Sequence, residues 1–199
     1  DYSSLLSTKN FWENFTGEKL LVYQEDTMLF HNKITPFLQY DYVGAPWPPN
    51  QNDNSYGVGN GGFSLRSKSK MLECIDKVNI AEIERLRLGQ STVNYMKNTN
   101  SYVVPEDVYF SKVMIDHGIG NVANRDVALR FSQETQKGIN PLGGHNYWLA
   151  ETVTDTKLQH DTVGIITPFL YIVGGGEYYL SMVIRFFIMI GAKRIHFYN

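Results

Sequence analysis

The hydrophobic pattern changes period several times along the chain, and each change marks an expected element. Residues 3–15 carry Leu5, Leu6 and Phe11 at helical spacing and predict a short helix, with Gly17 as its C-terminal glycine. Residues 19–24 form a short apolar run suited to a buried strand of a parallel sheet. That run ends in Glu25-Asp26-Thr27, and acids just past the carboxyl end of a strand stand where open α/β sheets bind ligands. Residues 67–88 read as helical through Met71, Cys74, Ile75 and Val78, then again through Ile80, Ile83 and Leu86 after a break. Pro105-Glu106-Asp107 opens a further helix over 108–117, since proline and acids suit a first helical turn. Residues 127–131 predict a short strand, and 140–148 a loop containing Pro141, Gly143, Gly144 and His145. The expected class is α/β, a mixed sheet flanked by helices.

One stretch has no period at all. Residues 42–47, Tyr-Val-Gly-Ala-Pro-Trp, and 58–66, Val-Gly-Asn-Gly-Gly-Phe-Ser-Leu-Arg, crowd glycine and one indole into a segment poor in charge. Glycines at 57, 59, 61 and 62 allow positive φ and close approach of backbone to a ligand, and Trp47 lies between Pro46 and Pro48 on a stiff loop. A sugar ring fits such a surface. The plainer reading is a glycine-rich connection with a core tryptophan. Residues 50–60 are polar enough to be mobile.

Composition narrows the function. The 199 residues are 43% hydrophobic and 14% aromatic, enough for a sizeable core. A net charge of −2 without any long Lys/Arg block argues against nucleic acid as a partner. The single Cys74 excludes an internal disulfide or a multi-cysteine metal site. The apolar stretch 169–191 is interrupted by Glu177, Arg185 and Gly174-Gly175-Gly176, so no membrane span is expected. No signal peptide is legible, which makes cytoplasmic the default compartment; opening at Asp1, the chain reads as a fragment.

Three groups could carry chemistry: Glu25/Asp26 after a strand, Glu106/Asp107 at a helix start, and His145 beside two glycines near Trp148. Each has an ordinary alternative, since paired acids cap helices and a loop histidine needs no function. Taken together they offer hard oxygen donors and one imidazole, a set suited to Mn²⁺ or Mg²⁺ bridging a diphosphate.

The order Leu21-Val22-Tyr23-Gln24-Glu25-Asp26, Tyr40 to Trp47, Gly59 to Arg66, Glu106-Asp107 and His145-Asn146-Tyr147-Trp148 resembles a glycosyltransferase-like family of long-unknown function in bacteria, plants and large DNA viruses. The resemblance covers about residues 1–150. It implies a GT-A type fold lacking its first strands and transfer of a sugar from a nucleotide-sugar donor, UDP-sugar favoured, to a glycan or protein hydroxyl. In that frame Asp26, Glu25 and His145 hold the metal, although Gln24 stands where the usual first aspartate would be and Asn146 replaces a lysine. Glu106-Asp107-Val108-Tyr109 is similar to a motif of inverting galactosyltransferase-like families. It implies Asp107 as general base with Glu106 beside it, while Trp47, Asn60, Gly61, Gly62, Arg66 and Trp148 are expected around the substrate. A non-catalytic carbohydrate-binding module and a nucleotide-sugar hydrolase are the alternatives.

The domain expectation is a transferase unit over 1–155 and, over 156–199, a linker and the βαβ-like opening of a second transferase domain. An uncovered apolar helix at 178–191 would favour self-association.

Overall fold

The computed structural model describes residues 2–48, 57–86, 88–146 and 164–166. Trp148, the segment 49–56 and, apart from residues 164–166, the expected linker and second domain over 156–199 lie outside the described residues. Among those described, no helix is long and apolar enough to cross a membrane.

The expected first helix is two helices, α1 (Tyr2–Leu6) and α2 (Lys9–Glu13). Thr8 makes the division: its backbone is extended and its hydroxyl accepts the Phe11 N–H, which caps a new helix. α2 ends at Asn14 in the right-handed region, so Gly17 is not its terminator.

Strand β1 (Lys19–Tyr23) forms in a different setting from the one expected. It is an edge of a three-stranded antiparallel sheet with β3 (Tyr42–Ala45) and β4 (Asn60–Ser67), in the order β1-β4-β3. Its residues are half-buried throughout, whereas β3 is buried along its whole length and β4 from Gly61 onward. Burial on both faces removes alternation from a strand, which is why 42–66 shows no period.

β2 (Thr27–Leu29) begins a second sheet with β5 (Ser132–Gln133), β6 (Gly143–His145) and β7 (Gly164–Ile166), in the order β5-β6-β2-β7. Only the β5–β6 pair is parallel among these. The expected loop at 140–148 therefore contains a strand. The expected strand at 127–131 belongs instead to a helix, Arg125–Phe131, because Asn124 accepts the Val127 N–H and caps it.

The remaining helices are α3 (Lys68–Lys77), α4 (Ile83–Leu86), α5 (Gln90–Asn98) and α6 (Glu106–His117), with Arg125–Phe131 as α7. All but α5 and α7 were expected as helices. α5 buries none of its residues and contains β-branched and amide side chains of modest helix propensity, which leaves little sequence signal. α6 stops at Gly118, whose φ of 64° is the left-handed conformation that a glycine adopts at no steric cost. The molecule is thus a mixed α/β fold.

Two apolar clusters hold it together. Trp12, Tyr42, Met71, Tyr109 and Phe110 belong to a cluster contributed by helices and the first sheet, with the Trp12 indole N–H donating to the Leu6 carbonyl at 2.6 Å. Leu29, Val43, Phe63, Leu65, Phe131 and Leu142 form the other, where the Phe63 and Phe131 rings stack at 4.9 Å.

A charge is sealed beside the first cluster. The Arg66 side chain is fully buried, 2.9 Å from Glu106 Oε1. Its Nε donates to Ser64 Oγ at 2.9 Å, and the guanidinium lies 5.0 Å from the centre of the Tyr42 ring. Removing one member of such a pair strands the other in a medium that solvates it poorly. Arg66→Ala is therefore expected to cost about 3–5 kcal/mol in urea unfolding. Arg66→Met with Glu106→Leu should cost far less, and equal losses in the two proteins would contradict this account.

Candidate functional site

The site grows from the point where the chain passes between sheets. After β1, Gln24 to Thr27 form a turn in which the Thr27 N–H donates to the Gln24 carbonyl at 3.0 Å. The Gln24 N–H and the Thr27 hydroxyl both donate to the Gly62 carbonyl, at 2.9 and 3.3 Å, which pins this turn to β4. Glu25 is exposed there and Asp26 is half-buried. Because Thr27 pairs with His145 in the β2–β6 ladder, Asp26 stands one residue from the histidine's register partner.

β4 is irregular opposite this turn. Its pairing with β3 jumps from Gly44↔Ser64 to Ala45↔Asn60, so residues 61–63 have no partner in β3. A Cβ on Gly61 would lie 2.6 Å from Glu106 Oε1 and 2.9 Å from the Asp107 Cβ; one on Gly62 would lie 2.2 Å from His145 Nδ1. Phe63, the next residue, stacks on Phe131 of α7 and also reaches the second sheet, its Cε1 lying 2.9 Å from where a Cβ on Gly143 of β6 would stand. Two successive residues on one side are the signature of a bulge. The expected close approach to these glycines does occur, and the groups that approach are side chains of the protein itself.

The His145 ring lies between two carboxylates. Its Nε2 is 3.1 Å from Asp26 Oδ1 and its Nδ1 is 3.3 Å from Glu134 Oε1. Neither contact has hydrogen-bond alignment, and Asp26 Oδ1 and His145 Nδ1 are buried without a hydrogen-bond partner. Asn146, at a φ of 46°, brings its Nδ2 to 3.1 Å from the same Nε2. Asn60 donates its amide to Glu134 Oε2 and accepts the Gly62 N–H at 3.1 Å.

Three sequence-chosen residues thus meet at Gly62: Asp26, His145 and Asn60. Glu25 does not join them. With the two ring nitrogens facing different acids, Asp26 and Glu134 cannot converge on one ion through the histidine. Among the described residues, no group of three or more His, Cys, Asp or Glu side chains is arranged to hold a metal. Glu134 carried no motif; its only available signal was its position just past β5, hidden because 127–131 read as the strand.

On the other side of the bulge the acids at 106 and 107 separate in role. Glu106 takes the Arg66 charge and accepts from Ser3 Oγ at 3.3 Å. Arg66, expected at the substrate, is enclosed by the fold, so its charge serves Glu106. Asp107 accepts the Gly61 N–H at 3.0 Å and the Val108 N–H at 2.7 Å. Burial, reinforced by the neighbouring Glu106 charge, pushes its carboxyl up to about 7, and those N–H groups with Arg66 offset this only partly. Trp47 is half-buried just past β3, its carbonyl accepting from Arg125 Nη1 at 2.8 Å.

Two consequences can be measured. Gly62→Ala must push the imidazole away, with a cost of about 1–3 kcal/mol from overpacking; an unchanged His145 side-chain NMR spectrum in that variant would contradict the packing. A carboxyl whose folded pKa lies above its unfolded one binds more protons when folded, so its contribution to stability is lost as pH rises through that interval. Asp107→Asn should therefore gain stability relative to wild type between about pH 4 and about pH 7, and a pH-independent difference in melting temperature would contradict the raised carboxyl.

No curated protein and no solved structure matches the chain. Residues 1–145 match the model of DUF5672, a family described as proteins of unknown function, and that span includes Asp26, the β4 bulge, Asp107, Glu134 and His145. The chain belongs to the DUF5672 family.

Proposed function

We propose that the protein is a glycosyltransferase that moves a sugar from a nucleotide-sugar donor to a hydroxyl acceptor with inversion. The observation that supports this reading most is the spacing of its two chemical groups. A carboxyl that titrates near neutrality is anchored on Gly61, while an aspartate and an imidazole rest against the next residue, Gly62. Successive Cα atoms are about 3.8 Å apart, so the groups are held by one short piece of backbone.

The donor set fits a divalent cation. Oxygen and nitrogen ligands in neighbouring positions around an ion at about 2.1 Å are separated by roughly 3 Å, and Asp26 Oδ1 stands 3.1 Å from His145 Nε2 without a hydrogen bond between them. Mn²⁺ and Mg²⁺ are commonly held by one or two protein groups together with substrate phosphates, so a third protein ligand is not required. When bound, such an ion supplies Lewis-acid stabilisation of the charge that develops on the nucleoside diphosphate.

Asp107 supplies the other half of the chemistry. The acceptor hydroxyl must lose its proton as it attacks the anomeric carbon, and the carboxylate takes that proton. A base with a pKa near the working pH combines availability with driving force, and burial tunes Asp107 toward that range. Its two backbone N–H donors fix the carboxylate in place. Trp47 offers an indole face to a sugar.

Calorimetric titration of UDP- and GDP-sugars, with and without Mn²⁺, tests the reading. Donor binding should require the ion and fail in Asp26→Ala, while Asp107→Asn should bind donor normally and lose about 10²–10⁴-fold in kcat. NMR of the product should show inversion; retention would exclude direct displacement. Donor binding without transfer to any acceptor would favour a non-catalytic module, and turnover with no acceptor present a hydrolase.

A further inference from the structure

The first sheet ends in a strand whose sequence suits an interior. After Lys19, β1 is a continuous apolar run, and both of its faces are covered: Leu20 and Val22 pack against the first apolar cluster, Leu21 and Tyr23 against the second. Its residues are nevertheless half-buried, so the exposure left to them lies along the outer edge of the sheet.

The register fixes which backbone groups point there. β1 pairs with β4 antiparallel through Lys19↔Ser67, Leu21↔Leu65 and Tyr23↔Phe63. At the two ends of this ladder the Lys68 N–H donates to the Glu18 carbonyl at 2.8 Å and the Gln24 N–H to the Gly62 carbonyl at 2.9 Å. Even-numbered residues therefore bond to β4, and Lys19, Leu21 and Tyr23 turn their N–H and C=O groups outward. Among the described residues, no backbone group bonds to these. The edge is also unguarded. The strand has neither proline nor bulge, and its one charge, Lys19, is held by its own fold at the Tyr40 carbonyl and Ser67 Oγ, both at 2.7 Å.

We infer that this edge docks β1 of a second copy of the chain, the two strands pairing antiparallel about a two-fold axis at Leu21. The outward groups are symmetric about that residue, so a copy turned end for end supplies a donor for every acceptor: Leu21 meets Leu21, and Lys19 meets Tyr23. Each lysine then lies opposite a tyrosine, and like charges never face each other across the ladder. A net charge of −2 leaves little repulsion between copies. Every pair in this sheet is already antiparallel, so the joined sheet keeps one pattern of bonding.

Sedimentation of the wild-type protein over a broad range of concentration should reveal a species of twice 22.8 kDa. Leu21→Pro removes an outward N–H without touching a bond to β4, and should sediment as a monomer with an unchanged circular dichroism spectrum. In a mixture of ¹³C-labelled and unlabelled wild type, isotope-filtered NMR should show the Leu20 Hα of one copy against the Val22 Hα of the other, the close pair of such a ladder. That contact decides the matter if Leu21→Pro fails to fold. A wild-type protein monomeric at every concentration, a dimer without the Leu20–Val22 contact, or a folded Leu21→Pro that stays dimeric would overturn the proposal. So would slow hydrogen exchange of the Leu21 and Tyr23 amides in the monomer, since another segment of the same chain would then cover the edge.

Discussion

Two adjacent residues of backbone without side chains, Gly61 and Gly62, set the geometry of this molecule. At Gly61-Gly62-Phe63 strand β4 leaves its register with β3, and the space vacated by two missing Cβ atoms is filled from both sides. Helix α6 brings its first turn against Gly61, and the end of β6 brings an imidazole against Gly62. The Gly62 carbonyl then holds the Gln24–Thr27 turn, which carries Asp26. Side chains from three separated parts of the sequence meet because the strand between them is thin. A bulge of this kind redirects side chains at the cost of local pairing, and bulges are common beside active sites for that reason.

The electrostatics are divided by the same strand. Arg66, Glu106, Ser64 and Tyr42 form a sealed group in which the cation has a carboxylate, a hydroxyl and an aromatic face. That arrangement absorbs the Arg66 charge and leaves Asp107 with only backbone donors of its own. Adjacent acids in one helical turn therefore differ in setting: Glu106 pairs with Arg66, and burial pushes the Asp107 carboxyl up to about 7. Such a separation of two nearby carboxyls is how one site supplies a group able to exchange protons at ordinary pH. Across the bulge, Asp26 and His145 remain 3.1 Å apart without hydrogen bonding.

Much of this was legible from local chemistry. Asp26 stood out because acids follow a short apolar run, and the helix at Glu106 because proline and acids suit its first turn. What failed had physical causes. A five-residue apolar run does not reveal whether its neighbour is parallel or antiparallel, so β1 was given the wrong setting. Residues 127–131 contain Val and Phe and read as strand, but a single capping bond at Asn124 made them helix. That error concealed β5, and with it Glu134, which meets Asn60 across 74 positions of sequence. The fates of Arg66 and Glu106 were equally hidden, since nothing local tells a ligand-binding arginine from one enclosed by its own fold.

We propose that Asp26 and His145 bind a divalent ion together with the diphosphate of a nucleotide sugar. The most direct measurement is anomalous diffraction from crystals grown with Mn²⁺ and UDP. The account predicts one strong peak about 2.0–2.3 Å from both Asp26 Oδ1 and His145 Nε2, with diphosphate oxygens completing the coordination. A nucleotide bound elsewhere, or an Asp26–His145 contact unchanged and without a peak under saturating Mn²⁺ and UDP, would contradict it.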